Sequence, residues 1–219
     1  MNAPTGAGRQ QEFRVGLLGH GTVGSAVDAL MNERADAIAA ATGRRPTVSG
    51  VLTRSRGNFE EILAGSDAVV ELIGGLEPAR EYALRTLESG TPLVTANKQL
   101  LSQHGNELFA AARANGAQLR YEAAVAGVVP VIRVMRESFA GAHIEKVHGI
   151  VNGTTNYILT EMARTGATYD NALRRAQELG YAEADPTEDV NGKDAAAKMA
   201  ILARLAGTCS RPSMRASRW

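Results

Sequence analysis

The chain is nearly free of cysteine: of 219 residues only Cys209 is one. An internal disulfide is therefore impossible, which fits a reducing compartment. Excess charge is missing too. Twenty-four basic residues face 23 acidic ones, for a net +1, so no global bias toward nucleic acid or an anionic membrane exists. No run approaches the ~18 apolar residues of a membrane span. The first residues, MNAPTGAGRQQEF, lack the apolar stretch of a signal peptide. A cytoplasmic protein without membrane or nucleic-acid partners is expected. No repeat is visible, and aromatic residues make up only 5%. His20, His104, His143 and His148 show no zinc-ligand spacing. Neither a G-x-S-x-G elbow nor a Walker A sequence occurs.

Glycine, by contrast, is plentiful, with 23 residues, and apolar residues reach 44%, ordinary for a globular protein with a real core. Apolar or β-branched runs at 14–19, 47–53, 67–74, 92–97 and 118–125 predict five strands. Between them lie helical patterns at 23–41, 59–64 (capped by Asn58), 78–89 and 101–114. In the first, Val23, Val27, Leu30, Met31 and Ile38 fall near one face. Such alternation predicts βαβ units in a mostly parallel sheet, with a ligand at the carboxyl ends of the strands. From about residue 127 the rhythm changes. A helix is expected at 129–139, a strand at 144–151, and helices at 155–164, 169–179 and 193–206, with an acidic loop at 180–192.

Four features carry chemistry. Gly19-His20-Gly21-Thr22-Val23-Gly24 is a G-x-G-x-x-G placed where the first strand meets the first helix. The glycines give a tight turn, close approach of backbone N–H groups to a pyrophosphate, and close helix–strand packing. The alternative is a plain βα turn. Thr53-Arg54-Ser55-Arg56 stands at the end of the second strand, where an acidic residue often binds the ribose of NAD. Arg54 and Arg56 suit the 2′-phosphate of NADP, or form a solvated loop, and NAD stays possible. Thr95 and Lys98 lie at the carboxyl end of the fourth strand, within reach of a cofactor or substrate, although a lone Lys is commonly a surface charge.

The last feature runs from Tyr181 to Lys198 and contains Glu183, Asp185, Glu188, Asp189 and Asp194. Asp194 and Lys198 share a helix face at i, i+4. From spacing alone this is an exposed ion pair worth little. In a cleft the acids would hold an amino group and the Lys would move a proton.

These segments resemble homoserine dehydrogenases. The likeness runs through GLLGHGTVGSAV (16–27), VTANKQLLS (94–102), YEAAVAGVVPVIR (121–133), GIVNGTTNYILTEM (149–162) and LGYAEADPTEDVNGKDAAAKMAILA (179–203). It implies an α/β protein with a Rossmann-type doubly wound parallel sheet and an incomplete α+β substrate and dimerisation domain. The boundaries expected are a polar lead-in at 1–12, a nucleotide domain at 13–127, a substrate domain at 128–206 and a basic tail at 207–219. The implied reaction interconverts L-homoserine and L-aspartate 4-semialdehyde with NAD(P)(H), in threonine, methionine and isoleucine biosynthesis. By the same resemblance Lys198 is the proton donor and Lys98 sits beside the nicotinamide. Glu183, Asp189 and Asp194 bind substrate, and Gly153, Thr154 and Tyr181 lie around it. Glu122, Val125, Gly127 and Val129 form a monovalent-cation site for sodium. A homodimer is expected for the family.

The motifs end near residue 206, and the tail GTCSRPSMRASRW is unlike the family's continuation, which suggests a frameshift or gene-end error. A fragment that only binds dinucleotide is thus the competing expectation. An acylating semialdehyde dehydrogenase would need a cysteine nucleophile, and only Cys209 is available.

Overall fold

The computed structural model describes residues 11–207; the basic tail expected at 207–219 lies outside them but for Gly207, as does the lead-in before residue 11. The chain divides into two compact units after Ala124.

Unit one is a five-stranded parallel sheet in the order β2-β1-β3-β4-β5, built from β1 (Gln11–Leu18), β2 (Arg44–Leu52), β3 (Ala68–Glu71), β4 (Leu93–Thr95) and β5 (Leu119–Arg120). Helices α1 (Thr22–Thr42), α2 (Phe59–Gly65), α3 (Ala79–Glu88) and α4 (Lys98–Ala114) connect the strands in turn. The α/β class with a parallel sheet stands. Leu17, Leu18, Val69, Leu87, Leu93 and Leu100 are fully buried and form the core.

Several boundaries differ from the sequence expectation, each for a local reason. Strand β1 starts at Gln11, so the end of the expected lead-in joins the sheet, where Gln11 and Glu12 pair with Arg44 and Arg45. Helix α4 starts three residues early because Asn97 Oδ1 accepts a hydrogen bond from Leu100 N at 3.0 Å, a side-chain cap. Strand β5 is short because β4 offers it only Leu93 and Val94; after Tyr121 the chain turns into a 3₁₀ turn, Glu122–Ala124. Asn58 caps α2 as expected, accepting from Glu60 N and Glu61 N.

Helix α1 keeps only part of the expected apolar face: Val27, Met31 and Ile38 are half-buried. Its buried residues are Gly24, Ala35 and Ala39, whereas Val23 and Leu30 are exposed. The small side chains at those points let this helix approach its neighbours closely.

Unit two holds no strand among the described residues. The stretch 144–151 was expected to be one but finds no partner there, and a strand exists only through its ladder bonds. A one-turn helix α5 (Val131–Arg133) runs into a π-helical turn (Val134–Ser138), in place of the helix expected over 129–139. Then come α6 (Gly153–Thr165), α7 (Tyr169–Glu178), α8 (Thr187–Val190) and α9 (Lys193–Leu205). Ile158, Ala172, Ala176 and Ala182 form the small core between α6 and α7. The expected acidic loop at 180–192 thus contains one helical turn.

Candidate functional site

In unit one the glycine-rich turn joins β1 to α1. Gly19 takes φ +102°, and a Cβ there would lie 2.6 Å from Leu72 O, so only glycine fits. A Cβ on Gly24 would lie 2.2 Å from Gly19 O, which keeps the helix tight against the turn. Gly21 is different: a Cβ there would meet no protein atom within 4 Å. Its openness suits a ligand pressed on the backbone rather than internal packing. Helix α1 has no acidic residue in its first turn and no side-chain cap, so its N-terminal donors and positive end are available for an anion. Thr22 and Val23 are exposed at this end. His20 is held by the protein itself: its Nε2 lies 3.0 Å from Asp28 Oδ2, and Asp28 Oδ1 accepts from Asn32 Nδ2.

Arg54 and Arg56 are exposed in the turn after β2, where Thr53 N donates to Arg56 O at 2.8 Å. Thr95 is fully buried at the end of β4. Lys98 is the half-buried first residue of α4, a cation at the positive end of a helix, a placement that the helix dipole disfavours.

Unit two gathers residues distant in sequence. Lys198 Nζ lies 2.7 Å from Asp194 Oδ2 and donates to Val151 O, also at 2.7 Å. The two side chains are only 20% and 9% exposed, so the pair is not the solvated bridge that spacing alone suggests. Asp194 sits in the first turn of α9, where the helix dipole favours an acid. Asn152 caps α6 with its Oδ1, accepting from Thr155 N and Thr155 Oγ1. Its Nδ2 donates to Asp189 Oδ1 at 2.7 Å and to Asp194 Oδ2 at 3.0 Å. Every hydrogen-bonding position of that amide is used. Thr154 Oγ1 lies within 2.8 Å of Tyr181 O and 2.9 Å of Asp189 Oδ2. Tyr181 stacks on Tyr157 with centroids 4.7 Å apart.

Thus Lys198, Asp194, Asp189, Thr154 and the Tyr181 backbone come together. Gly153 opens α6 beside them in sequence. Glu183 does not join: it is exposed, and among the described residues only its carbonyl is bonded, by Gln177 Nε2. Asp185 caps the start of α8; the Thr187 hydroxyl and N–H hold its carboxyl below the usual aspartate range. Glu122 lies in the 3₁₀ turn ending unit one, while Val125, Gly127 and Val129 open unit two. Ala126 and Gly127 both have positive φ. No cluster of three or more His, Cys, Asp or Glu side chains able to hold a metal occurs among the described residues.

Sequence reasoning missed Asn152, Asp28 and Glu71. Asn152 was detectable as an Asn just before a helix. Glu71 was detectable as an acid inside an otherwise apolar strand run.

A parallel sheet whose first βα turn carries this glycine pattern defines a Rossmann-type dinucleotide-binding protein. Comparison with known proteins narrows the class. Residues 19–122 match the family model "Homoserine dehydrogenase, NAD binding domain" and residues 130–214 the model "Homoserine dehydrogenase", so the family match runs past the last motif near residue 206. The curated homoserine dehydrogenase of Bacillus subtilis is 43% identical over 209 residues, 88% of this chain and 48% of that protein. The crystal structure of a homoserine dehydrogenase from Thiobacillus denitrificans is 44% identical with a TM-score of 0.81, over 90% of this chain and 49% of that one. A hyperthermophilic archaeal homoserine dehydrogenase in complex with NADPH is 27% identical with a TM-score of 0.76, over 90% and 70%. The chain belongs to the homoserine dehydrogenase family, and it spans about half the length of the curated relatives it matches.

Proposed function

We propose that unit one binds NADP(H), with NAD a weaker alternative, and that unit two carries the substrate groups of a reaction interconverting L-homoserine and L-aspartate 4-semialdehyde. The observation that carries this reading is the shielded Lys198–Asp194 pair with Asn152 and Asp189 around it. The nicotinamide, when bound, supplies the hydride for the aldehyde carbon. The residues of the chain do the rest. Gly19, Gly21 and Gly24 cradle the pyrophosphate with Thr22 and Val23 at the helix start, His20 flanks it, and Arg54 and Arg56 take the 2′-phosphate. The open cradle at Gly21 fits such a group. Thr95 and Lys98 border the nicotinamide end.

Reduction leaves negative charge on the aldehyde oxygen. The Lys198 ammonium stabilises that charge and delivers the proton; in the reverse direction the amine takes it back. Asp194 and Asp189 bind the α-ammonium group, with Gly153, Thr154 and Tyr181 closing on the substrate. Glu122, Val125, Gly127 and Val129 hold a sodium ion, chiefly through backbone carbonyls, as a hard cation prefers. The assignment further implies a cytoplasmic homodimer serving threonine, methionine and isoleucine synthesis.

The test is homoserine-dependent reduction of NADP⁺ at alkaline pH, with Lys198→Ala alongside. The variant is expected to lose about two to four orders of magnitude in kcat. No turnover by either protein, with NADPH still bound, would reduce the reading to dinucleotide binding alone.

A further inference from the structure

Glu71 closes β3 and is fully buried, a carboxylate in a run of apolar strand residues. Burying an acid without a cation costs stability unless donors satisfy it, and an apolar residue would pack as well at no such cost. Here the donors are backbone and hydroxyl. Oε1 accepts from Ile73 N at 2.8 Å, with Gly74 N at 3.4 Å. Oε2 accepts from the Thr95 hydroxyl at 2.6 Å. Thr95 Oγ1 in turn accepts from Asn97 N at 3.0 Å, and Asn97 Nδ2 donates to Gly75 O at 2.6 Å. The loop after β3 and the corner after β4 are therefore tied together twice, by a carboxylate and by an amide. Lys98 follows directly on that corner. The same β3 loop also backs the Gly19 turn, since a Cβ on Gly19 would lie only 2.6 Å from Leu72 O.

The sheet order decides which half of a dinucleotide this clamp serves. The pyrophosphate belongs at the β1–α1 turn, and the adenosine ribose at the end of β2. Strands β3 and β4 lie on the opposite side of β1 from β2, so the other half of the molecule lies over their ends. We propose that Glu71 is a positioning residue for the nicotinamide end of the cofactor, setting the Ile73–Gly75 loop and the Thr95–Lys98 corner at one fixed separation. This rests on the dinucleotide reading above.

Glu71→Gln preserves shape but reverses one link. Its amide would offer a proton to Thr95 Oγ1, whose own proton then loses its acceptor. The experiment titrates the full chain with NADPH, following the fluorescence of the reduced nicotinamide, and separately with 2′-phospho-ADP-ribose, which lacks the nicotinamide. The expected result is about a tenfold rise in the Kd of NADPH with loss of the bound nicotinamide signal, while the fragment binds as to the parent protein. A purely structural role would weaken both ligands alike, and that result, or no change in either, overturns the proposal. If Glu71→Gln does not fold, Thr95→Val must give the same split and Thr95→Ser must restore parent values; failure of either overturns it. A parent protein that binds neither ligand overturns the dinucleotide reading and this inference together, whereas parent binding without the split overturns this inference alone.

Discussion

Asn152 Nδ2 lies 3.0 Å from Asp194 Oδ2, the oxygen that also pairs with Lys198. One neutral amide thus separates two carboxylates, Asp189 and Asp194, while its other end caps α6. The two roles are separable by substitution. Asn, Asp and Ser are comparable helix caps, so Asn152→Ser keeps the cap and removes the bridge, with an expected loss of about 1 kcal/mol. Asn152→Asp keeps the cap as well but sets a third negative charge against two acids. It is expected to lose more, roughly 2–3 kcal/mol at neutral pH, and to regain stability on acidification as a proton restores a donor. Thermal melts of both variants over a pH series read this directly; an Asp variant as stable as the parent at neutral pH would contradict it.

The glycine-rich turn supplies a second contrast. Gly19→Ala strains a positive φ and drives a Cβ toward Leu72 O, so it is expected to destabilise the fold by roughly 1–3 kcal/mol. Gly21→Ala meets no protein atom. It is expected to melt with the parent protein yet bind NADPH at least about tenfold more weakly, because the methyl fills the proposed cradle. Paired melting and NADPH titration separate the two.

Arg54 and Arg56 set the choice of dinucleotide on the proposed reading. Replacing both with Ala removes charge-assisted contacts to the 2′-phosphate and is expected to raise the Kd of NADPH roughly ten- to a hundredfold. The Kd of NADH is expected to change little. Parallel titrations with both cofactors are decisive, and equal losses for the two would remove these arginines from the site.

Acid stability has a defined contributor in unit one. Arg80 donates to both oxygens of Glu107, at 2.5 and 2.7 Å, and these hydrogen bonds hold the Glu107 carboxyl below the usual glutamate range, with His104 assisting. A carboxyl depressed on folding stabilises fully above its unfolded pKa and loses that contribution as pH falls through its folded one. Glu107→Gln is therefore expected to lower the melting temperature at neutral pH. The gap to the parent should close as pH drops below about 4. The effect is modest, since both side chains are about one-third exposed.

Much of the fold was legible in the residues themselves. Caps such as Asn58 act over two or three residues, and the tight turn at Gly19 needs only its own sequence and the strand before it. Where local signals were thin, expectation and structure parted. Helix α1 buries two alanines while Val23 and Leu30 stay exposed, and 144–151 carries a strand's composition without a strand's partner among the described residues. Composition records propensity, whereas a strand depends on what lies beside it.

The sequence by itself determined the order of strands and helices in unit one, the glycine turn between the first pair, and the family. These follow from short-range sterics, capping and periodicity. Only the tertiary structure decided that Asp194 and Lys198 are shielded rather than solvated, that Asn152 reaches acids 37 and 42 residues away, and that buried Glu71 grips Thr95 from 24 residues off. Burial and charge environment depend on which distant segments pack together, and no local pattern carries that information.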